Sequence, residues 1–466
     1  MVMNINRFPW KLSLILYVCS YGLMLTFLDS YFWDDWKIYA SLTKSEISKQ
    51  FQDGGYMPDR SFFESEILGN RPEIFRILTL ICYFVSGWCL FHILSTLKFL
   101  TTNQVKTTTL LFLVLPINSA RVAMIDFAYA WALLLFYLSW YLMVKKETLI
   151  SKLVAIALLV LSFGSTAALI VFMALPIVHR LYMQLSEKST SIKRALFFNA
   201  GLLLIAPTYW FLDRRINPPR GKALAMYSLQ TSGVIRALLL LLISIAIIVW
   251  YLKVGRRDAI DSNRYLLIVC GLVSTLIAAA PYVVAGHLVD ISEWMLNFVP
   301  RESDWQSRHQ LTLGLGLSLL IVGILGELKS VFKQRTIFAI ISICVILNVT
   351  YMHAYFLDSL KQEQVMDAIA MNHELDTVKA IVIDDQAIRF NARGRGIRSY
   401  EWDAMLAKIY QNDSKRSVDS VQNVDCESAL VPNAILTITA DNGRLKATIL
   451  RDLGIRLRVV RLSLCP

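Results

Sequence analysis

Two adjacent carboxylates, Asp34 and Asp35, stand between Trp33 and Trp36 directly after the first long apolar run of the chain. A carboxylate can act as a general base when it reaches the proton it must take and when partial burial lifts its pKa toward the working pH. The same pair could instead hold a cation, or form an exposed acidic step beside an interfacial Trp belt. A second polar cluster is the turn 118–126, which carries Arg121 and Asp126. The apolar run before it, 107–117, is short for a full crossing. Arg121 and Asp126 are therefore expected near a cavity at membrane depth, as functional charges or as a mutual salt bridge. A third cluster, 213–222, reads Asp-Arg-Arg-Ile-Asn-Pro-Pro-Arg-Gly-Lys. Its Arg214, Arg215, Arg220 and Lys222 suit a phosphate group, of a substrate or of anionic lipid headgroups. Arg308 and His309, at the start of a later apolar run, could bind phosphate or assist a leaving group, though a lone boundary histidine also has ordinary structural uses.

The elements that must position these residues are apolar helices. Residues 12–30, 76–97, 233–252, 264–286, 309–327 and 335–355 each approach the roughly 17–25 residues that cross hydrocarbon. Close pairs at 107–117 and 127–144, and at 149–163 and 166–179, together with 195–212, bring the expected total to eleven spans. Such segments satisfy their own backbone hydrogen bonds in lipid. Lys98, Lys106, Lys145, Lys146, Arg180, Lys193, Arg194, Lys253, Arg256, Arg257, Lys333 and Arg335 all fall in gaps on one side of that count, which marks the cytoplasmic face and puts the N-terminus there. An odd number of spans carries the C-terminus to the opposite side. Arg7 and Lys11 precede the first segment as a signal peptide's basic region would, but the apolar run is long and no small-residue cleavage site follows, so it reads as a retained anchor. Residues 31–75 form the first outer loop, in which 36–52 could lie on the membrane with Ile38, Leu42, Ile47 and Phe51 toward lipid.

Composition narrows the classes further. The chain is 56% hydrophobic with a net charge of +12, and the positive excess is explained by the cytoplasmic loops. Basic residues interleaved with exposed aromatics, as single-strand nucleic-acid binders use, are missing. Five of seven cysteines (Cys19, Cys82, Cys89, Cys270, Cys344) lie in apolar segments. Cys426 and Cys465 are in the polar tail, where a disulfide is plausible if the tail is outside the cytoplasm. From about 356 the pattern changes: a polar helix at 357–375, a strand at 379–384, a helix at 401–411, a strand at 434–440, a helix at 444–453 and alternation again at 456–464. The expected fold class is mainly α: a polytopic transmembrane helical bundle over 1–355, with a small α/β extracytoplasmic domain over 356–466.

Taken in order, these features resemble the GT-C superfamily of polyprenyl-phosphate-sugar-dependent membrane glycosyltransferases. Asp34-Asp35-Trp36 directly after the first segment is similar to that superfamily's acidic pair. The long first outer loop, the close third and fourth segments joined through Asn118–Arg121 to Tyr129, and a folded domain after the last span complete the likeness. Among members, it is similar to bacterial O-antigen glucosyltransferases that decorate surface polysaccharide.

The resemblance implies a GT-C fold in the cytoplasmic (inner) membrane, a polyprenyl-phosphate-sugar donor, a glycan or glycolipid acceptor, and an inverting transfer on the outer face. Asp34 or Asp35 would deprotonate the acceptor hydroxyl. Arg214, Arg215, Arg220, Lys222, Arg308 or His309 would stabilise the departing phosphate. No cofactor is expected. A divalent metal occurs in some members, but Asp126 is the only obvious third acid for such a site and makes no clear ligand set. Two alternatives stay open: a lipid-linked oligosaccharide polymerase or ligase using Arg301, Arg308 and His309, and a transporter or flippase of lipid-linked sugar. Partners on any of these readings are the bilayer and lipid-linked sugar, and not nucleic acid.

Overall fold

A computed structural model describes residues 10–40, 43–53, 63–69, 71–145, 148–165, 168–186, 192–216, 262–284, 310–326, 328–371, 373, 380–411, 416–418, 433–440 and 457–464. The expected segment 233–252, the helix at 444–453, and Arg220, Lys222, Arg301, Arg308, His309, Cys426 and Cys465 lie outside the described residues.

The described chain is mainly helical. In order it forms α1 (Trp10–Tyr21), α2 (Lys44–Asp53), α3 (Pro72–Leu94), α4 (Thr102–Val114), α5 (Phe127–Lys145), α6 (Leu149–Ser165), α7 (Ala168–Phe172), α8 (Ala174–Ser186), α9 (Ile192–Ile216), α10 (Ser262–Val284), α11 (Leu313–Leu325) and α12 (Ser330–Ala370). Among the described residues, Pro72–Leu94, Met124–Lys145 and Val331–Ala370 are long and apolar enough to cross a membrane. Shorter apolar helices accompany them, including Trp10–Thr26, Leu149–Gly164 and Leu313–Leu325.

Several expected segments change form. The run 12–30 is not one helix: α1 ends at Tyr21 and continues as a 3-10 turn, Gly22–Thr26, before the backbone leaves helical geometry. Segment 166–179 is split between α7 and the first turns of α8. α9 extends through Ile216, so Asp213, Arg214 and Arg215 belong to its last turn rather than to a loop. The expected break near 356 is absent. No glycine or proline interrupts 330–370, and the helix runs on for 41 residues, about 60 Å at 1.5 Å per residue. That is about twice the hydrocarbon thickness.

Helices α10 and α11 approach backbone to backbone. A Cβ on Gly271 would stand 2.4 Å from Leu320 N, and one on Gly316 would stand 2.5 Å from Thr275 N. Small residues allow this contact where lipid gives helices no hydrophobic reason to associate. α11 also packs on α4, and α4 leads directly into the turn at 118–126.

The distal end of α12 carries the tail. Strands β1 (Ala380–Asp385), β2 (Arg416–Val418), β3 (Asn433–Ala440) and β4 (Leu457–Leu464) form one sheet in the order β2-β1-β3-β4. β1 is parallel to β2 and β3, whereas β3 and β4 are antiparallel, with an irregularity between Leu436 and Ile438. Helix α13 (Ser399–Tyr410) connects β1 to β2 and buries Trp402, Met405 and Leu406, while Val365 and Ile369 on α12, Ile381 and Ile438 complete the same core.

Buried polar groups fasten this core to α12. Lys361 Nζ reaches both Asp385 oxygens (2.7 and 2.6 Å), Ala387 O (3.1 Å) and Asn391 Oδ1 (2.5 Å). Asp358 accepts from Ala392 N at 2.8 Å and from Gln362 Nε2 at 2.9 Å. A buried charge deprived of its partner costs about 3–5 kcal/mol. K361A is therefore expected to loosen residues 380–411, seen as faster tryptic cleavage there while the membrane helices stay intact. Unchanged protection would contradict this anchoring.

Candidate functional site

The acidic pair sits where the chain turns sharply after α1. Trp33 has φ 53°, in the left-handed region, which costs a bulky L-residue about 1–2 kcal/mol. Its ring holds that geometry, edge-on to Tyr355 of α12 at 5.7 Å and beneath the Arg395 guanidinium at 5.6 Å. The turn closes through Asp35 N to Phe32 O, at 3.1 Å.

The two carboxylates have different surroundings. Asp35 is fully buried. Its oxygens accept the backbone N–H of Met124 at 2.8 Å, Ile125 at 3.0 Å and Phe32 at 3.3 Å. Asp34 is half-buried and accepts the Tyr400 hydroxyl at 2.8 Å. The expectation that either residue serves as an open base is corrected for Asp35. Packing encloses it because its acceptor capacity is taken up by amides of the 118–126 turn.

Arg76, at the start of α3, is the counterpart of Asp35 and was not among the expected site residues. It is 1% exposed. Its guanidinium donates to Leu28 O, to Ser30 O at 2.5 Å and to Val122 O at 3.2 Å. An arginine at the mouth of an apolar segment is the signal that could have found it. Its charge and the Asp35 charge favour one another.

Arg121 and Asp126 are brought close to this clamp, but neither lines an open cavity. Both are buried. The Arg121 guanidinium lies 4.0 Å from the Tyr21 ring and 4.2 Å from the Tyr83 ring, with Nε donating to Asn118 O at 2.7 Å. The turn folds inward on Arg121, which makes this cation a packing element. Ile38 and Ile47 are likewise buried against protein instead of facing lipid. Nearby, Tyr39 donates to the buried Glu64 at 2.8 Å, which ties the turn Trp36–Ala40 to Phe63–Leu68.

The tail closes over the same place. Trp36 Nε1 donates to Gln362 Oε1 at 3.0 Å. Lys408 Nζ lies 4.7 Å from the Tyr31 ring centre and 5.4 Å from that of Trp36. Burial, then the charges of Glu401 and Asp34, push the Tyr400 phenol above its usual value, so it meets Asp34 as a neutral donor.

No family model, curated protein or solved structure matches this chain.

The site is thus defined by what its groups can do. Among the described residues no group of three or more His, Cys, Asp or Glu could hold a metal. Of the expected phosphate ligands, Arg215 is exposed on the last turn of α9, stacked 4.9 Å from the Phe211 ring. The groove between α1 and α3, walled by Leu14, Val18, Leu80 and Ile81, is apolar and holds none of the candidate residues. Asp34 is the half-open carboxylate at the centre of the arrangement.

Burial pushes Asp35 up to about 7, against its three backbone amides and Arg76, which favour the ionised form. Its folded pKa exceeds the model-peptide value of 3.8. The folded chain therefore holds the extra proton between about pH 4 and 7, and stability falls as pH rises through that window. D35N turns an amide NH2 toward a backbone N–H and is expected to cost about 1–3 kcal/mol. Thermal unfolding between about pH 5 and 8 should show a decline in wild type that is missing in D35N. Parallel curves would contradict this.

Proposed function

We propose that the chain transfers a sugar from a polyprenyl-phosphate-linked donor to a cell-surface glycan or glycolipid, with Asp34 as general base. One observation carries this reading: of the adjacent acids, Asp35 is consumed by backbone amides, whereas Asp34 is half-open beside it on a strained, tightly held turn. Sparsely populated backbone geometry held by surrounding packing is a feature of functional sites. Long apolar helices and a folded tail that meets the acidic turn agree with the GT-C-like arrangement that the sequence resembles.

On this reading an acceptor hydroxyl gives its proton to Asp34. Its oxygen attacks the anomeric carbon, the bond from that carbon to the phosphate oxygen breaks, and polyprenyl phosphate departs with the electron pair. The configuration inverts. Arg214, Arg215, Arg220, Lys222, Arg308 and His309 are the candidates for stabilising the leaving phosphate. The chain would lie in the cytoplasmic membrane with about eleven spans, its N-terminus in the cytoplasm and residues 356–466 as an α/β domain on the outer face.

The test is mass analysis of surface glycans from cells without the gene, complemented with wild type or D34N. Deletion should remove a hexose-sized increment that wild type restores. D34N, made at wild-type level, should restore about 1% or less, because general-base groups contribute about 10²–10⁴-fold. Restoration by D34N would remove Asp34 as base. A change in chain length instead of increment would favour a polymerase or ligase, and transport by purified protein without transfer would favour a flippase.

A further inference from the structure

Helix α13 belongs to the tail, yet it presents a hydroxyl to the acidic turn across 366 residues of sequence. Its placement is fixed on three sides. Arg395 makes a two-pronged pair with the fully buried Glu401, at 2.6 and 2.7 Å, next to Tyr400 in sequence. The same guanidinium covers Trp33, the residue before Asp34. Lys408, two turns along α13, rests over Tyr31 and Trp36.

Asp34 needs such a partner. The terminal torsion of an aspartate is broad and roughly two-fold, so the backbone alone does not aim its oxygens. A catalytic base is commonly oriented by a third group that holds one of its atoms. Tyr400 holds Oδ1 at 2.8 Å.

We propose that Tyr400 is a positioning residue for Asp34: its hydroxyl pins one carboxylate oxygen so that the other is presented to the acceptor hydroxyl, making α13 of the tail a working part of the transfer site. This rests on the reading of Asp34 as base. It gives the tail a role that neither a passive appendage nor a separate binding module would have.

Two measurements on the purified full-length protein test it. The first uses polyprenyl-phosphoglucose as donor and glycan from cells lacking the gene as acceptor. Y400F should lower kcat about tenfold or more, the scale of small misplacements at reacting groups, with KM for glycan within about twofold and an unchanged unfolding temperature. Y410F, the same change elsewhere on α13, should keep the wild-type kcat. An inactive D34N with a fully active Y400F would overturn the positioning role and leave the base in place. A faster Y400F would overturn it too, because the phenol would then be occupying the acceptor's seat. A fully active D34N would end both readings. The second measurement needs no turnover: a water-soluble carbodiimide with an amine should modify Asp34 severalfold more in Y400F than in wild type, read by peptide mass spectrometry. Equal modification would overturn the contact itself.

Discussion

Two buried side chains, the carboxyl of Asp35 and the guanidinium of Arg76, supply hydrogen bonds that two stretches of backbone outside the α-helices cannot make for themselves. The chain leaves regular helix between Phe27 and Trp33, and between Leu115 and Asp126 it forms only the short 3-10 turns Ala120–Val122 and Met124–Asp126, whose first N–H groups have no partner within the turn. Irregular backbone away from water must find partners, since each orphaned group costs several kcal/mol in hydrocarbon. Asp35 takes the N–H groups of Met124, Ile125 and Phe32, and Arg76 gives to the carbonyls of Leu28, Ser30 and Val122. Both side chains join the same two stretches, and Arg76 favours the ionised form of Asp35 without outweighing its burial. Arg121, packed between Tyr21 and Tyr83, closes the turn from behind.

That clamp determines what is left for chemistry. With Asp35 turned inward and Trp33 held at positive φ, Asp34 projects from the other side of a stiff turn. The long helix α12 then brings the tail to it. Trp36 bonds Gln362, Gln362 bonds Asp358, and Asp358 receives Ala392 N, so the acidic turn, the helix and the tail share one buried polar chain. Buried networks of this kind specify an arrangement more than they stabilise it. Here they set which face of the tail meets Asp34.

Much of the architecture was legible in the sequence because periodicity and length report on single elements. The strands at 379–384, 434–440 and 456–464 and the helix at 401–411 occur within a residue or two of expectation. So do helices such as 127–144 and 149–163, whose apolar runs are bounded by charge or glycine. Helix continuity past 356 was misread because polarity rises there, although no breaker is present; Asp358, Lys361 and Gln362 are polar yet buried. The division between Asp34 and Asp35 was not legible at all. Adjacent identical residues differ only in direction, and direction is set by Trp33's backbone and by amides some 90 residues away. The meeting of Tyr400, Arg395 and Lys408 with the acidic turn was invisible for the same reason: the residues they touch there are more than 360 positions distant.

Asp35 is spent on backbone N–H groups, and the proposed transfer depends on this division because it assigns the base to Asp34. Hydrogen exchange of the peptide containing Met124 and Ile125 tests this most directly, in wild type against D35A and D34A. Those two amides should exchange slowly in wild type and in D34A, and fast in D35A. Equal exchange in all three, or loss of protection in D34A instead, would contradict the account.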